Sequence, residues 1–329
     1  MPRRLDHSIA RALRDEKVDA EELTALVKEA MTDDVLSAEE RAGLTSLLAQ
    51  HGDAFDPKPR RLAEAFLAGG TALSAGALPD PSLSWDTLGD VELRTRRGAT
   101  LTVDGVHFDD VIQNQLGDCF LLASLSAIAA VNPKAIEDAI TDHGDGTYSV
   151  RFFEKQPRGA ATPVSITIDA DLPARRNGAL VYGQARDKAE LWPSLLEKAY
   201  ATWKGGYGEL SLGGFAGDAL LAITGKPADF YNPITTLEPR ELWAAMQQAQ
   251  AEGRPMVTGT GSAVGVEGTK TQNLVPMHIY SVIAVNEENG EKFVTLRNPY
   301  GQHEPGDDGV FKLTLREYRR CFEDLYFVQ

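Results

Sequence analysis

The stretch VIQNQLGDCFLLASLSAIAAV, residues 111–131, sets Cys119 between a Gly-Asp step and a long apolar run. Cysteine attacks as its thiolate, so a catalytic one requires a lowered pKa and an open approach. The run after Cys119 reads as a buried helix ending before Asn132-Pro133, with Gly117-Asp118 as its turn and cap. That places the thiol in the first helical turn, where unpaired N–H groups and the positive dipole end favour an anion. For an isolated cysteine, a buried structural role is the competing reading. The two glutamines just upstream, Gln113 and Gln115, offer neutral donors beside the thiol.

A nucleophilic thiol also requires a base, and the histidines stand at 7, 51, 107, 143, 278 and 303. His278 opens HIYSVIAV, a run with strand character, and KFVTLRNPYG follows the turn residues Glu287 to Gly290. A hairpin centred on that turn brings His278 within one residue of facing Asn298, where opposed Cβ atoms lie roughly 5 Å apart. An asparagine there accepts the imidazole N–H and turns the other ring nitrogen to the thiol, the logic of a Cys-His-Asn triad. A slip of one residue sends the two side chains to opposite faces. Taken singly, His278 reads as a strand-end histidine satisfied by backbone and Asn298 as a turn former before Pro299.

Three stretches must position these groups. Residues 18–31 and 36–50 read as short helices, each with a capping-box start (Asp19 with Glu22, Ser37 with Glu40), and a third start lies at 55–69. The acidic loops DEKVD and DDVLS lack the carboxylate ladder and central glycine of an EF-hand, so they read as solvated turns. Residues 69–92, rich in Gly, Ser, Pro and Ala, mark a linker. Beyond it come short extended segments at 93–107, the Cys119 helix, and strands at 147–153 and 163–173. A helix at 190–203 then carries Leu191, Leu195, Leu196 and Ala199 at helical spacing. After Gly225 the pattern turns β-rich. The expected organisation is α+β: a helical unit over 1–80, a second unit over 86–224 with Cys119, and a third over 225–329 with His278 and Asn298.

The formal charge of −15 is spread along the chain, with an acidic excess of 5 in residues 1–80 and 10 in the rest. Such a balance argues against nucleic acid and suits hard cations or basic ligands. Two cysteines allow one disulfide at most, so a reducing compartment, the cytoplasm, is expected. The basic N-terminus has no apolar core of a signal peptide, and the run from Cys119 to Val131 is too short to span a bilayer. A monomer is expected.

The residues described resemble the calpain family of papain-like cysteine proteases. The signature Q-x-x-L-G-D-C stands as Gln113, Leu116, Gly117, Asp118 and Cys119, followed by FLLASLSAIA. ELWPSLLEKAYATWKGGYGELSLGG at 190–214 is similar to the family's E-F-W-S-A-L-L-E-K-A-Y-A segment, and HIYSV and RNPYG follow in order. The blocks span about residues 86–329 and leave the first 80 outside; a bacterial source is the expectation.

The resemblance implies a two-lobed papain-like core, with Cys119 on a helical lobe and His278 and Asn298 on a β-rich one. It implies that Gln113, chosen over Gln115 by motif spacing alone, forms an oxyanion hole with the Cys119 N–H, and that Gly213 and Gly214 line the substrate cleft. A flexible inter-lobe loop is the other reading of these glycines. Tyr300 stands where the family usually has Trp and Met277 where it usually has Gly. Calcium is the implied cofactor. A first site carries over to Gly105, Asp110 and Glu190, with a further carbonyl from Val103. The second is degenerate: Glu304 and Asp308 match, while Val310 stands where a carboxylate is expected.

The implied activity is a calcium-stimulated endopeptidase acting on protein or peptide substrates, with the N-terminal unit as a regulatory or targeting appendage. A binding module that kept the fold without turnover is the alternative, and the intact Cys, Gln, His and Asn weigh against it. A transglutaminase-like acyltransferase fits less well, since Asn298 falls where its Asp is expected.

Overall fold

A computed structural model describes residues 2–30, 37–69, 80–96, 98–262 and 273–329. In chain order its elements begin with α1 (Pro2–Ala12), α2 (Ala20–Ala30), α3 (Ala38–His51) and α4 (Pro57–Gly69). There follow β1 (Val91–Thr95), β2 (Val111–Ile112), α5 (Cys119–Val131), α6 (Pro133–Glu137), β3 (Ile140–Asp142), β4 (Thr147–Glu154), β5 (Thr162–Asp169), β6 (Asp171–Arg175) and β7 (Gln184–Ala185). Then come α7 (Trp192–Lys204), α8 (Tyr207–Ser211), α9 (Ala216–Thr224), β8 (Ala228–Tyr231), α10 (Pro239–Ala251), β9 (Met256–Thr260), β10 (Ile279–Glu288), β11 (Glu291–Arg297), β12 (Val310–Thr314), α11 (Leu315–Cys321) and β13 (Phe322–Val328). Helix and sheet are thus mixed along the chain, the α+β composition expected.

Both capping boxes form. The Asp19 carboxylate accepts the Glu22 N–H while Glu22 accepts the Asp19 N–H, and Ser37 and Glu40 do the same at the start of α3. The intervening DDVLS turn falls almost wholly outside the described residues, as do residues 70–79 of the expected linker. Helices α1–α4 gather an apolar cluster of their own, including Leu5, Leu23, Leu26, Leu44, Leu62 and Phe66. Its tie to the rest runs through Arg61 on α4, which pairs with Asp145 and donates to Thr147 Oγ1.

The strand expected over 163–173 is two strands. At Ala170 the chain leaves the sheet of β3, β4 and β5 and pairs as β6 with β1. Asp169 fixes the step, accepting the Asp171 N–H and the ammonium of Lys198. Periodicity cannot detect such a change of partner, because both strands keep alternation through it. The helix expected from residue 190 begins at Trp192, with Pro193 in the first turn, where a missing N–H costs nothing.

A six-stranded sheet, ordered β12-β11-β10-β9-β13-β8, carries the second half of the chain. On β13, Tyr326 and Val328 join the cluster built around α5, α7 and α9, whereas Leu325 and Phe327 join the cluster beneath α10 and α11. Successive residues thus face opposite cores, so the strand is apolar throughout. Helix α5 packs directly on β10. Every residue from Phe120 to Ala129 is buried, as befits a helix apolar on all sides.

Candidate active site

Cys119 is the first residue of α5, as its sequence context predicts, and is half-buried. The flanking turn is tight: a Cβ on Gly117 would stand 2.6 Å from the Ser211 carbonyl oxygen, so only glycine fits. Two expectations fail here. Asp118 occupies the cap position but makes no side-chain cap hydrogen bond. The thiol, moreover, is pushed up to about 11 rather than lowered, chiefly by burial and also by the Asp118 charge; the backbone N–H groups of Ile279, Phe120 and Cys119 itself only partly offset this. Desolvation outweighs the helix terminus.

Opposite the thiol, His278 precedes β10 and Asn298 follows β11. The His278 imidazole Nε2 lies 3.0 Å from Asn298 Oδ1. Both side chains are buried, and burial holds the imidazole down to about 4, against the raising effect of the asparagine bond. The route to this contact differs from simple facing. The turn is the two-residue Asn289-Gly290, both with positive φ, and Glu288 pairs with Glu291. A bulge between Val282 and Ala284 then shifts the ladder, giving Ser281 opposite Arg297. Continued outward, that register sets His278 opposite Tyr300 and diagonal to Asn298. An offset of two keeps both on one face, whereas an offset of one would not. The Tyr300 ring accordingly lies 4.6 Å from the imidazole, and Tyr280 packs edge-on at 5.0 Å.

The thiol side and the imidazole side are stitched together by Gln113 and by two groups that sequence reading did not single out, Ser281 and Arg297. Ser281 Oγ donates to the Ala123 carbonyl inside α5. The fully buried Arg297 donates to Ser126 Oγ and to the carbonyls of Asp109 and Val111. The Gln113 N–H reaches the Pro299 carbonyl at 2.7 Å. An arginine at the end of β11, between the apolar Leu296 and the candidate Asn298, was the one available signal, since a buried guanidinium requires acceptors. Among the described residues, the thiol and the imidazole make no hydrogen bond to each other; Cys119 instead faces the N–H of Ile279, the neighbour of His278.

Gln113 is buried, with Nε2 donating to the Leu116 carbonyl at 2.7 Å, and Gln115 is exposed. Gly213 takes φ +83° with open space around it, while a Cβ on Gly214 would stand 2.8 Å from the Phe120 ring. Local structure thus accounts for both glycines. Met277 adopts φ +52° with 76% of its surface exposed, a conformation that suits glycine better.

At the first acidic locus, Asp110 accepts the His107 N–H and the Trp192 indole N–H. Glu190 accepts the Val103 N–H, and Gly105 turns at φ +107°. Burial raises both carboxyls, Glu190 to about 7, and the charge of Asp110 adds to the rise at Glu190. Two buried oxygen donors that repel one another suit a hard cation. No group of three or more His, Cys, Asp or Glu among the described residues is arranged to hold a metal, so carbonyl oxygens would have to complete the shell. At the second locus, Asp307 takes the N–H groups of His303, Glu304 and Gly309. Asp308 accepts the Val310 N–H, Glu304 is exposed, and the Arg186 guanidinium already lies on the Asp308 carbonyl.

Neither cysteine forms a disulfide, and no helix among the described residues is long and apolar enough to cross a membrane. Residues 64–325 match the profile of the calpain family of cysteine proteases. The match covers well over half of the chain and starts within α4, earlier than the motif blocks suggested. The chain belongs to that family. Among its relatives, a calpain-type cysteine protease of Zea mays, DEK1, is 32% identical over 203 residues, covering 59% of this chain and 9% of that protein. Calpain-8 of Rattus norvegicus is 31% identical over 214 residues, 61% of this chain and 29% of the relative. Human calpain-9 is 29% identical over 246 residues, 73% and 34%. The chain thus spans about a third or less of the length of these relatives, and a bacterial source finds no support in them.

Proposed function

We propose that this chain is a cysteine endopeptidase in which Cys119 attacks a peptide carbonyl, His278 moves the proton and Asn298 orients the imidazole. The observation that carries the reading is the hydrogen bond from His278 Nε2 to Asn298 Oδ1. With Nε2 engaged, Nδ1 is the nitrogen left to serve the thiol on the adjoining helix start. Thiol and imidazole are both neutral near pH 7, given values of about 11 and about 4. The thiolate therefore forms as His278 takes the proton during attack, and the same proton passes to the leaving amine. The Cys119 N–H and the Gln113 amide would donate to the developing oxyanion. Water then hydrolyses the thioester, with His278 as base.

In this reading residues 86–224 and 225–329 are the two lobes of a papain-like core. The helices of residues 1–80 form a separate regulatory or targeting unit, the substrates are proteins or peptides approaching along Gly213 and Gly214, and the protein acts as a monomer in a reducing compartment. Calcium would be held by Asp110 and Glu190 with the carbonyls of Val103 and Gly105; a second ion at Glu304 and Asp308 would bind weakly if at all. When bound, the ion would neutralise the Asp110–Glu190 repulsion and draw residues 103–110 onto the start of α7. The alternative, a silent binding module, is disfavoured by the complete set of Cys, Gln, His and Asn.

Casein cleavage by the wild type and by Cys119→Ala, each with calcium and with chelator, tests the proposal. The substitution is expected to lower the rate by on the order of 10⁴-fold or more. Activity that survives it sinks the assignment; activity indifferent to chelator removes calcium alone.

A further inference from the structure

Directly behind the nucleophile lie two carboxyl groups that the chemistry above does not use. Asp118 is 0% and Glu197 1% exposed. Glu197 Oε1 accepts the Gly183 N–H at 2.7 Å, and Gly183 has no room for a Cβ, which would stand 2.7 Å from that oxygen. Ser194 holds the same turn by donating to the Gly183 carbonyl. Neither oxygen of Asp118 meets a donor from elsewhere in the described structure; the group within hydrogen-bonding reach is the Glu197 carboxyl. Lys198, next in the chain to Glu197, is committed elsewhere, pairing with Asp80 and Asp169. The other ionisable groups facing the pair are Cys119, Tyr182, Tyr207 and Tyr300, and none is positively charged. Two ionised carboxylates in this setting would be buried, adjacent and uncompensated, which is untenable.

We propose that Asp118 and Glu197 share one proton, forming a carboxylic acid–carboxylate pair that positions the nucleophile by tying the residue before Cys119 to α7. Glu197 carries the proton and donates it to Asp118, its other oxygen being taken by the Gly183 N–H. Burial, and then the charge of Asp118, hold the Glu197 proton well into the range where carboxyls are normally ionised. The pair is therefore intact at neutral pH and fails on the alkaline side. Its failure would leave two repelling charges beneath the thiol, where the charge of Asp118 already disfavours the thiolate. Asp118 and Glu197 are positioning residues, not catalytic ones. Their effect on turnover rests on the peptidase reading; the shared proton does not.

The fold keeps a proton that unfolded Asp and Glu, with ordinary values of 3.8 and 4.5, release. The native state thus binds more protons, and the pair's contribution falls as pH rises above about 4.5 towards its folded value.

Infrared spectra of the full chain at neutral pH provide the test. The difference between wild type and Glu197→Gln should contain the carbonyl stretch of one protonated carboxylic acid, and Asp118→Asn, should the first variant fold poorly, should remove the same band. In Glu197→Gln the amide N–H still donates to Asp118 and cannot titrate. The alkaline fall of kcat/KM should therefore move upward by about one pH unit or more, and the rise of Cys119 alkylation by iodoacetamide should move to lower pH, since no second charge forms beneath the thiol. Absence of the band from the difference spectrum, or an alkaline limb unmoved in both variants, overturns the proposal. A band present in a protein without peptidase activity leaves the pair standing and refutes the peptidase reading instead.

Discussion

The two sides of the site are held in opposite ways. His278 is fixed within one sheet: its N–H donates to Thr260 Oγ1, its carbonyl accepts the Thr260 N–H, and its ring binds Asn298 between the rings of Tyr280 and Tyr300. On the thiol side, Asp118 and Gln113 keep buried oxygens without an ordinary donor; the segment before α5 depends on Arg297 and Pro299, and α5 itself on Ser281, from the other side of the seam. The imidazole side is locally satisfied. The thiol side is complete only when the rest of the molecule is present, so damage should be graver, and travel farther, when it strikes the bonds that cross the seam.

Arg297→Met puts that comparison to its hardest trial. It removes donors from Ser126, Asp109 and Val111 at once; Arg186 still reaches the Asp109 carbonyl, but the buried Val111 carbonyl loses its side-chain donor, and the change should destabilise the chain by roughly 3 kcal/mol. Urea unfolding, together with iodoacetamide labelling of Cys119, reads both effects; a variant as stable as wild type would break the claim of dependence. A second expectation concerns the satisfied side. His278 is neutral in the fold down to about 4, below the ordinary 6.5. The unfolded chain therefore binds the extra proton between these values, and stability falls as pH drops from about 6.5 to about 4, by about 3 kcal/mol in all. His278→Gln should flatten that part of the stability curve, and an unchanged slope would assign the loss to other groups.

Smaller effects sharpen the contrast. Gly214→Ala drives a methyl into Phe120, the residue after the nucleophile, and should cost about 1–3 kcal/mol. Thermal unfolding measures the cost, and a slowed alkylation of Cys119 would show that it reaches the thiol. Met277→Gly works on the opposite side and should be mild, stabilising by about 1 kcal/mol through relief of a positive φ. A lower melting temperature would mean that the exposed Met277 side chain packs on something that outweighs the strain.

Much of the site was legible because it is local. The helix start at Cys119 follows from an apolar run bounded by Gly117-Asp118 and Asn132-Pro133, and the capping boxes of α2 and α3 from spacings of three residues. The hairpin was legible from the turn residues Glu287 to Gly290, but its register was not: the turn is centred on Asn289-Gly290, one residue later than expected, and the bulge at Val282–Ala284, which has no sequence marker, takes back part of that shift. The face was right only because the total offset is even. The thiol's elevated pKa was illegible for a different reason: a helix terminus can be read from a sequence, whereas the depth of burial that overrides it cannot.

The sequence by itself determined which residues hold thiol, imidazole and amide, and which local elements carry them, since turns, caps and apolar periodicity act over a few residues. Only the tertiary structure decided that Asn298 meets His278 diagonally, that Arg297 and Ser281 close the seam, and that Asp118 turns from helix cap to partner of Glu197. Those outcomes depend on segments about 20 to 190 residues apart reaching the same buried volume. There desolvation penalises every unpaired charge, and it sets which partners each polar group must find.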